Sequence, residues 1–302
     1  MTHHRSARAA LLAAVLGFTA LTASACGDAP SAEPAKSAGP TVSVDRALHD
    51  RLPDAVKASG VLRVGTDASY APMSFFAPDG RTIVGIEPDL AQQIGAVLGV
   101  RLEFRNVDFT ELLPHVADGS LDVAISAVTD TPEREQEVDF VNYFNAGTSI
   151  VVQRGNPDGV TDLKDLCGKV VAVEDGTTQV DLVKRSQANC AGQPIRIKTF
   201  PTNSDALVQL RTGRAVAVLN DYPPASYLTS DVRTKAHYQL ASTAQYEPGL
   251  YGIAVSKREQ GLRDALQGAL ETLLDTGAYQ QVMDHWNVAS GEVREVAVNS
   301  GR

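Results

Sequence analysis

The sequence predicts a mixed α/β protein built as two lobes joined by two strands that cross between them. Short apolar strands alternate with amphipathic helices in two successive runs, a pattern that places mostly parallel strands beneath helices in each run. Between the runs lies GTSIVVQRGNP (147–157), and near the end lies YEPGLYGIAVS (246–256), each an extended apolar stretch bounded by turn residues. If both cross, the chain builds a second lobe, returns to finish the first, and carries a two-strand hinge.

The elements follow in order. MTHHRSAR is basic, AALLAAVLGFTAL is an apolar run too short to span a bilayer comfortably, and TASAC is rich in small residues; residues 1–25 therefore read as an export signal. The signal resembles that of a bacterial lipoprotein, in which Cys26 is lipidated and becomes the mature N-terminus. Ala23 stands where such signals most often have leucine, and a simple secretory signal is the alternative reading. No other stretch approaches transmembrane length. Residues 26–50, rich in Pro, Ala, Ser and Gly, read as a flexible tether, so that the fold starts near Arg51. The first lobe is expected over 51–149 and 247–290, the second over 150–246, and a C-terminal tail over 291–302.

In the first lobe VLRVG (61–65) precedes a helix with Leu90, Ile94, Val97 and Leu98 on one face and Gly99 as its stop. RLEFRNV, a short helix over 111–117, the strand LDVAISAV (121–128) and a helix begun by Thr131 complete the run. In the second, KVVAVED, a helix from Thr178, IRIKTF, a helix from Asn203 and AVAVLND repeat the theme, and helices over 259–285 close the chain.

About 240 residues suffice for two cores. The chain carries net −9, and removal of residues 1–25, which hold Arg5 and Arg8 and no acid, makes it −11. Nucleic acid and anionic lipid are poor partners for that charge. Besides Cys26, Cys167 and Cys190 form an even pair in an oxidising compartment, and a disulfide between them would contribute roughly 3 kcal/mol.

Ligands of open α/β sheets bind beyond the carboxyl ends of the strands. Those ends read Thr66, Asp67, Ala68, Ser69 and Tyr70; Thr129 and Asp130, then Arg134; Asp175 to Gln179; and Asn220 and Asp221. Arg134 is unusual. With Thr131 as N-cap and Pro132 at the first helical position it falls in the third, where the helix dipole disfavours a cation by roughly 0.3–1 kcal/mol. Either it swings away to Glu133, Glu137 or Asp139, or it shares an anion with the helix start. The mixture of charges suggests a zwitterion. Arg134 and the backbone N–H groups of Gly176, Thr177 and Thr178 suit a carboxylate, Asp221 and the Thr129 hydroxyl an ammonium, and Tyr70 and Phe109 supply flat apolar walls.

Across nearly the whole mature domain the stretches LRVGTDASYAPMSFFAPDGRTIVGIEPDLAQQIGAVLGV, DGSLDVAISAVTDTPEREQEVDF, GKVVAVEDGTTQ and AVAVLNDYPPASYL occur in the order that resembles the polar amino-acid group, family 3, of the extracellular solute-binding proteins of ABC importers. The resemblance implies a periplasmic-binding-protein-like, type II or Venus-flytrap fold, closing on an amino acid and delivering it to a membrane permease. It implies Arg134 with Gly176–Thr178 on the ligand carboxylate, Thr129 and Asp221 on the α-ammonium, Asp67 near the side chain, and Tyr70 and Phe109 flanking it. Met73 stands where the family often has an aromatic residue, which makes the expected pocket wall more adaptable. The Cys167–Cys190 pair is not a general family feature and is expected to stiffen the second lobe.

The expected class is a monomeric binding protein with no cofactor or metal. The dinucleotide, phosphate-loop, zinc-protease and serine-hydrolase motifs are absent, and His115, His237 and His285 show no ligand spacing. Two other readings stay open: a dehydratase of arogenate or prephenate on the same fold, with Glu174 as proton donor, and a sensor docking on a signalling receptor. Acids at 67 and 221 with one arginine favour a neutral polar or basic side chain over glutamate, unless Arg81 or Lys198 supplies a second cation.

Overall fold

The computed structural model describes residues 42–301; the export signal, Cys26 and most of the expected tether lie outside them. Residues 42–50 are part of the fold rather than tether. Val42 and Leu48 pack on the first lobe's core, Asp45 N donates to Val97 O at 2.8 Å, and the Asp45 carboxylate accepts from the amides of Ala47 and Leu48 to start helix α1 (Arg46–His49).

Helix α2 (Asp54–Ser59) leads into β1 (Val61–Thr66), and a small antiparallel sheet follows as β2 (Ser69–Tyr70), β3 (Ser74–Phe76) and β4 (Ile83–Val84). Helix α3 (Ile86–Leu98) buries the expected face and stops at Gly99, whose φ of 67° glycine adopts without strain. Then come β5 (Arg101–Asn106), a 3-10 turn over Phe109–Glu111, α4 (Leu112–Asp118), β6 (Val123–Ala124) and the long β7 (Val138–Gln153). The second lobe holds β8 (Val170–Glu174), α5 (Thr178–Ser186), β9 (Arg196–Phe200), α6 (Asn203–Arg211), β10 (Ala217–Asp221), α7 (Tyr222–Ser230) and β11 (Tyr238–Leu240). Strand β12 (Tyr246–Ser256) returns to α8 (Gln260–Thr276) and α9 (Ala278–His285).

The strand order is β5-β1-β6-β12-β7-β10-β8-β9, with β11 also on β7. Strand β1 pairs in parallel with β5 and β6, β8 in parallel with β9 and β10, and the two halves are joined by the antiparallel pair β7 and β12. Leu62, Val64, Ile94, Tyr143 and Leu266 belong to one apolar core, and Val152, Val171, Val183 and Leu219 to another. Cys167 and Cys190 are bonded, their Cα atoms 5.3 Å apart, joining the segment before β8 to the turn after α5. Among the described residues no helix is long and apolar enough to cross a membrane.

Two expected elements are shorter than LDVAISAV and TPEREQEV suggest. Strand β6 keeps only Val123 and Ala124, because Ala127 takes a left-handed φ of 47° and gives its amide to the buried Glu87 carboxylate. The helix at Thr131 is only a 3-10 turn, Arg134–Gln136, although Thr131 Oγ1 does accept from Arg134 N at 3.3 Å. β7 ends it: VDFVNYF is β-branched and aromatic, and its residues 138–144 are all buried, so extended structure wins from Val138 onward. A turn this short has little dipole, which removes the penalty on a cation at Arg134.

Candidate functional site

The strand ends converge. A nearly filled cavity, with about 20 Å³ of room for a water-sized sphere, is lined from the first lobe by Asp67, Tyr70, Phe109, Thr129 and Arg134, and from the second by Thr177, Thr178 and Asp221. Of the residues assigned from sequence to hold the amino acid only Gly176 is not on its wall. The segment after β1 carries Asp67 and Tyr70, the turn before β7 carries Arg134, α5 begins at Thr178, and β10 ends at Asp221.

Hydrogen bonds cross between the lobes around this cavity. Tyr70 OH donates to Asp221 Oδ2 at 3.1 Å and accepts from Asp221 N at 2.8 Å, and Asn203 N donates to Ser69 Oγ at 3.2 Å. Arg134 makes no ion pair with Glu133, Glu137 or Asp139; the last is held by Lys257 and Arg263 at 3.0 and 3.1 Å. Its Nη1 instead donates to Thr129 O at 2.7 Å, its Nη2 crosses to Gly176 O at 2.9 Å, and its guanidinium lies 5.7 Å from the Phe109 ring centre. Gly176 thus enters the site through its carbonyl, while its own N–H is taken by the Asp175 side chain. Burial lowers the Arg134 pKa from its ordinary value, against the fields of Asp181, Asp221 and other acids.

Asp67 and Glu174 both line the cavity, one from each lobe, close enough for each to perturb the other. Burial first, and then the charges of Asp67 and Asp221, push Glu174 up to about 9, so that it holds a proton at neutral pH. Its Oε1 is buried with no hydrogen-bond partner among the described residues. Burial also raises Asp67, whose Oδ1 accepts from Ser69 N at 2.8 Å. Asp221 is pushed up to about 6 by burial, opposed by hydrogen bonds from Tyr70 and Gln179.

Ser126 and Gln179 line the cavity without an assignment from sequence, and Glu174, named there only as the acid of the dehydratase reading, lines it too. Ser126 Oγ accepts from Asp67 N at 2.9 Å, and Gln179 Nε2 donates to Asp221 Oδ1 at 2.7 Å, so both orient acids. Ser126 is the one polar residue in AISAV, and Gln179 ends the GTTQ stretch; those were the available signals. Met73 is not a pocket wall. It is fully buried in the first lobe's core, where an unbranched side chain fills the space beneath α3. Arg81 lines a groove on the outer face and Lys198 lies on β9, so neither brings a second cation to the cavity.

A cavity closed between two α/β lobes, joined by an antiparallel strand pair and lined by opposed charges, defines a two-lobe solute-binding protein of type II fold. The chain belongs to the bacterial extracellular solute-binding proteins, family 3, whose profile matches residues 62–289. It is 31% identical over 252 residues, 82% of this chain and 81% of the other, to the arginine-binding protein ArgT of Corynebacterium glutamicum. Among solved structures it is similar to an ancestral arginine-binding protein bound to glutamine, with 35% identity, a TM-score of 0.69, and coverage of 76% of this chain and 98% of that one. It is also similar to the ancestral amino acid-binding protein AncCDT-1, a precursor of cyclohexadienyl dehydratase, with 31% identity, a TM-score of 0.68, and coverage of 77% and 98%.

Proposed function

We propose that this protein is the substrate-binding component of an ABC importer, closing as a monomer on an amino acid with a cationic side chain, arginine in the first instance, and presenting it to a membrane permease. The observation that carries the choice of side chain is the Asp67–Glu174 pair: two acids in a buried cavity, one of them protonated, suit a guanidinium, whose several N–H donors can serve both carboxyl groups. The names of the relatives point the same way. In this reading Arg134 grips the ligand carboxylate, with the main chain of Thr177 and Thr178 beside it. Asp221 and Thr129 take the α-ammonium, while Tyr70 and Phe109 wall the aliphatic stem. The lobes that close are 51–149 with 247–290, to which residues 42–50 and 291–301 add by packing on the same core, and 150–246.

The test is calorimetric titration of the chain lacking residues 1–25, freed of bound ligand by unfolding and refolding, with arginine, lysine, glutamine and glutamate near pH 7. Arginine is expected to bind and to release about one proton as the cation pulls Glu174 down, seen as a binding enthalpy that changes with the ionisation enthalpy of the buffer. Glutamine binding alone, with no proton released, would overturn the cationic assignment.

Cys26 is proposed to carry a lipid that holds the protein at the outer face of the membrane. A Cys26→Ser variant is then expected in the medium; its retention in the membrane fraction would rule that anchor out.

One observation favours a second reading. Glu174 holds a proton inside the cavity, as a dehydratase acid must, and one structural relative is a precursor of a dehydratase. Turnover of arogenate or prephenate, lost in Glu174→Gln, would establish it; no turnover leaves binding as the function.

A further inference from the structure

We propose that residues 297–301 are a strap that positions the Arg134 corner of the cavity. They lie beyond the stretch that matches the family profile. After the 3-10 turn Ala289–Gly291 the chain runs back along the edge of β7 that β12 does not use. Asn142 N donates to Ala297 O at 2.9 Å, Val298 bridges Val141, and Asn299 N donates to Phe140 O at 3.1 Å. The Asn299 side chain locks this register, accepting from Phe140 N at 2.8 Å and donating to Asp139 Oδ1 at 3.0 Å.

The strap then leaves the strand and reaches the turn that carries Arg134. Ser300 N donates to Asp130 Oδ2 at 2.9 Å, and Gly301 N to Glu135 Oε1 at 3.0 Å. Asp130 follows Thr129, whose carbonyl holds the Arg134 guanidinium, and Glu135 follows Arg134 itself, so the two acids gripped by the strap bracket the turn at both ends. The turn's own bonds are short-range, from Arg134 N and Glu135 N to Thr131, Gln136 N to Glu133 O and Glu137 N to Arg134 O, and Asp130 N ties its start to Leu250 O of β12. Asp130 is 1% exposed, and burial, with Glu135 alongside, pushes it up to about 6; the Asn142 carboxamide and the Ser300 amide are the donors on its Oδ2. The approach is close: a Cβ on Gly301 would lie 2.7 Å from the Asp130 backbone, so only glycine fits there. Ser300 and Gly301 do not line the cavity, and they act through Asp130 and Glu135 as positioning residues.

That Arg134 grips a carboxylate rests on the reading above; that the strap holds the turn does not. The test uses a chain ending at Val298, which keeps the Val141–Val298 and Asn142–Ala297 pairings, and the full-length Asp130→Asn variant as a milder lesion. Without ligand, hydrogen exchange of amides 129–137 is expected to rise about tenfold in the shortened chain, with the second lobe unchanged. Binding of arginine is expected to weaken about tenfold, the scale of one charge-assisted contact, while agmatine, which is arginine without its carboxylate, changes less than about twofold. Unchanged exchange over 129–137, or equal weakening of both compounds, overturns the proposal. If the full chain binds no arginine, the assignment of the cavity falls, and the exchange measurement alone decides the strap.

Discussion

Arg134→Ala is expected to weaken arginine binding by at least about 100-fold, the cost of leaving a carboxylate without its partner in a site removed from water. The ligand-free protein should melt within a few degrees of the parent, because Arg134 makes hydrogen bonds only to the carbonyls of Thr129 and Gly176 and is no member of an ion pair among the described residues. Arg134→Lys should recover part of the loss, since it restores charge without the planar fork that meets two carboxylate oxygens. Calorimetry checks both variants. An alanine variant that binds as tightly as the parent would remove Arg134 from the site.

Glu174→Gln is expected to weaken arginine binding by about 30-fold, to leave glutamine binding within a few-fold, and to abolish the proton release. It should also change stability as a function of pH. A carboxyl group whose pKa rises on folding contributes stability that is complete below its ordinary value and is lost as pH climbs towards the folded value, here about 9. The ligand-free parent should therefore lose melting temperature between roughly pH 5 and 9, and the glutamine variant should lose less. Bound arginine should flatten the same slope in the parent, because the cation removes the reason for holding the proton. Parallel slopes in parent and variant would mean that Glu174 ionises freely and that the cavity is wetter than its burial indicates.

Much of this architecture is legible in the residue pattern because its signals are local. Helix α3 announces its face by spacing and its end by Gly99, and the central parallel strands β1, β8 and β10 are apolar runs followed by polar residues. The site is legible for a related reason: parallel strands deliver their carboxyl ends to one place, so Asp67, Arg134 and Asp221 are marked before any contact is known. The misreadings have long-range causes. Nothing near Ala127 reveals that Glu87, 40 residues earlier, will take its amide and end β6. Val42 and Leu48 look like tether residues until a core beside α3 and α8 is available to cover. Glu174 is hidden by strand geometry: side chains alternate between faces, and sequence alone does not say which face its neighbours bury.

The pairing of β7 with β12 limits how the lobes can move. The two strands are bonded from Val138 opposite Ser256 to Thr148 opposite Tyr246, with register irregularities at Tyr246–Gly249 and Tyr251–Gly252. Sliding one strand along the other by a single residue would turn every side chain to the opposite face, and both cores depend on those faces. Translation between the lobes is thereby forbidden, and bending or twisting of the ribbon is the freedom that remains. Walls far from the ribbon must then travel farther than walls beside it, so the mouth of the cleft gapes before its floor loosens, and a solute leaves from the rim inward.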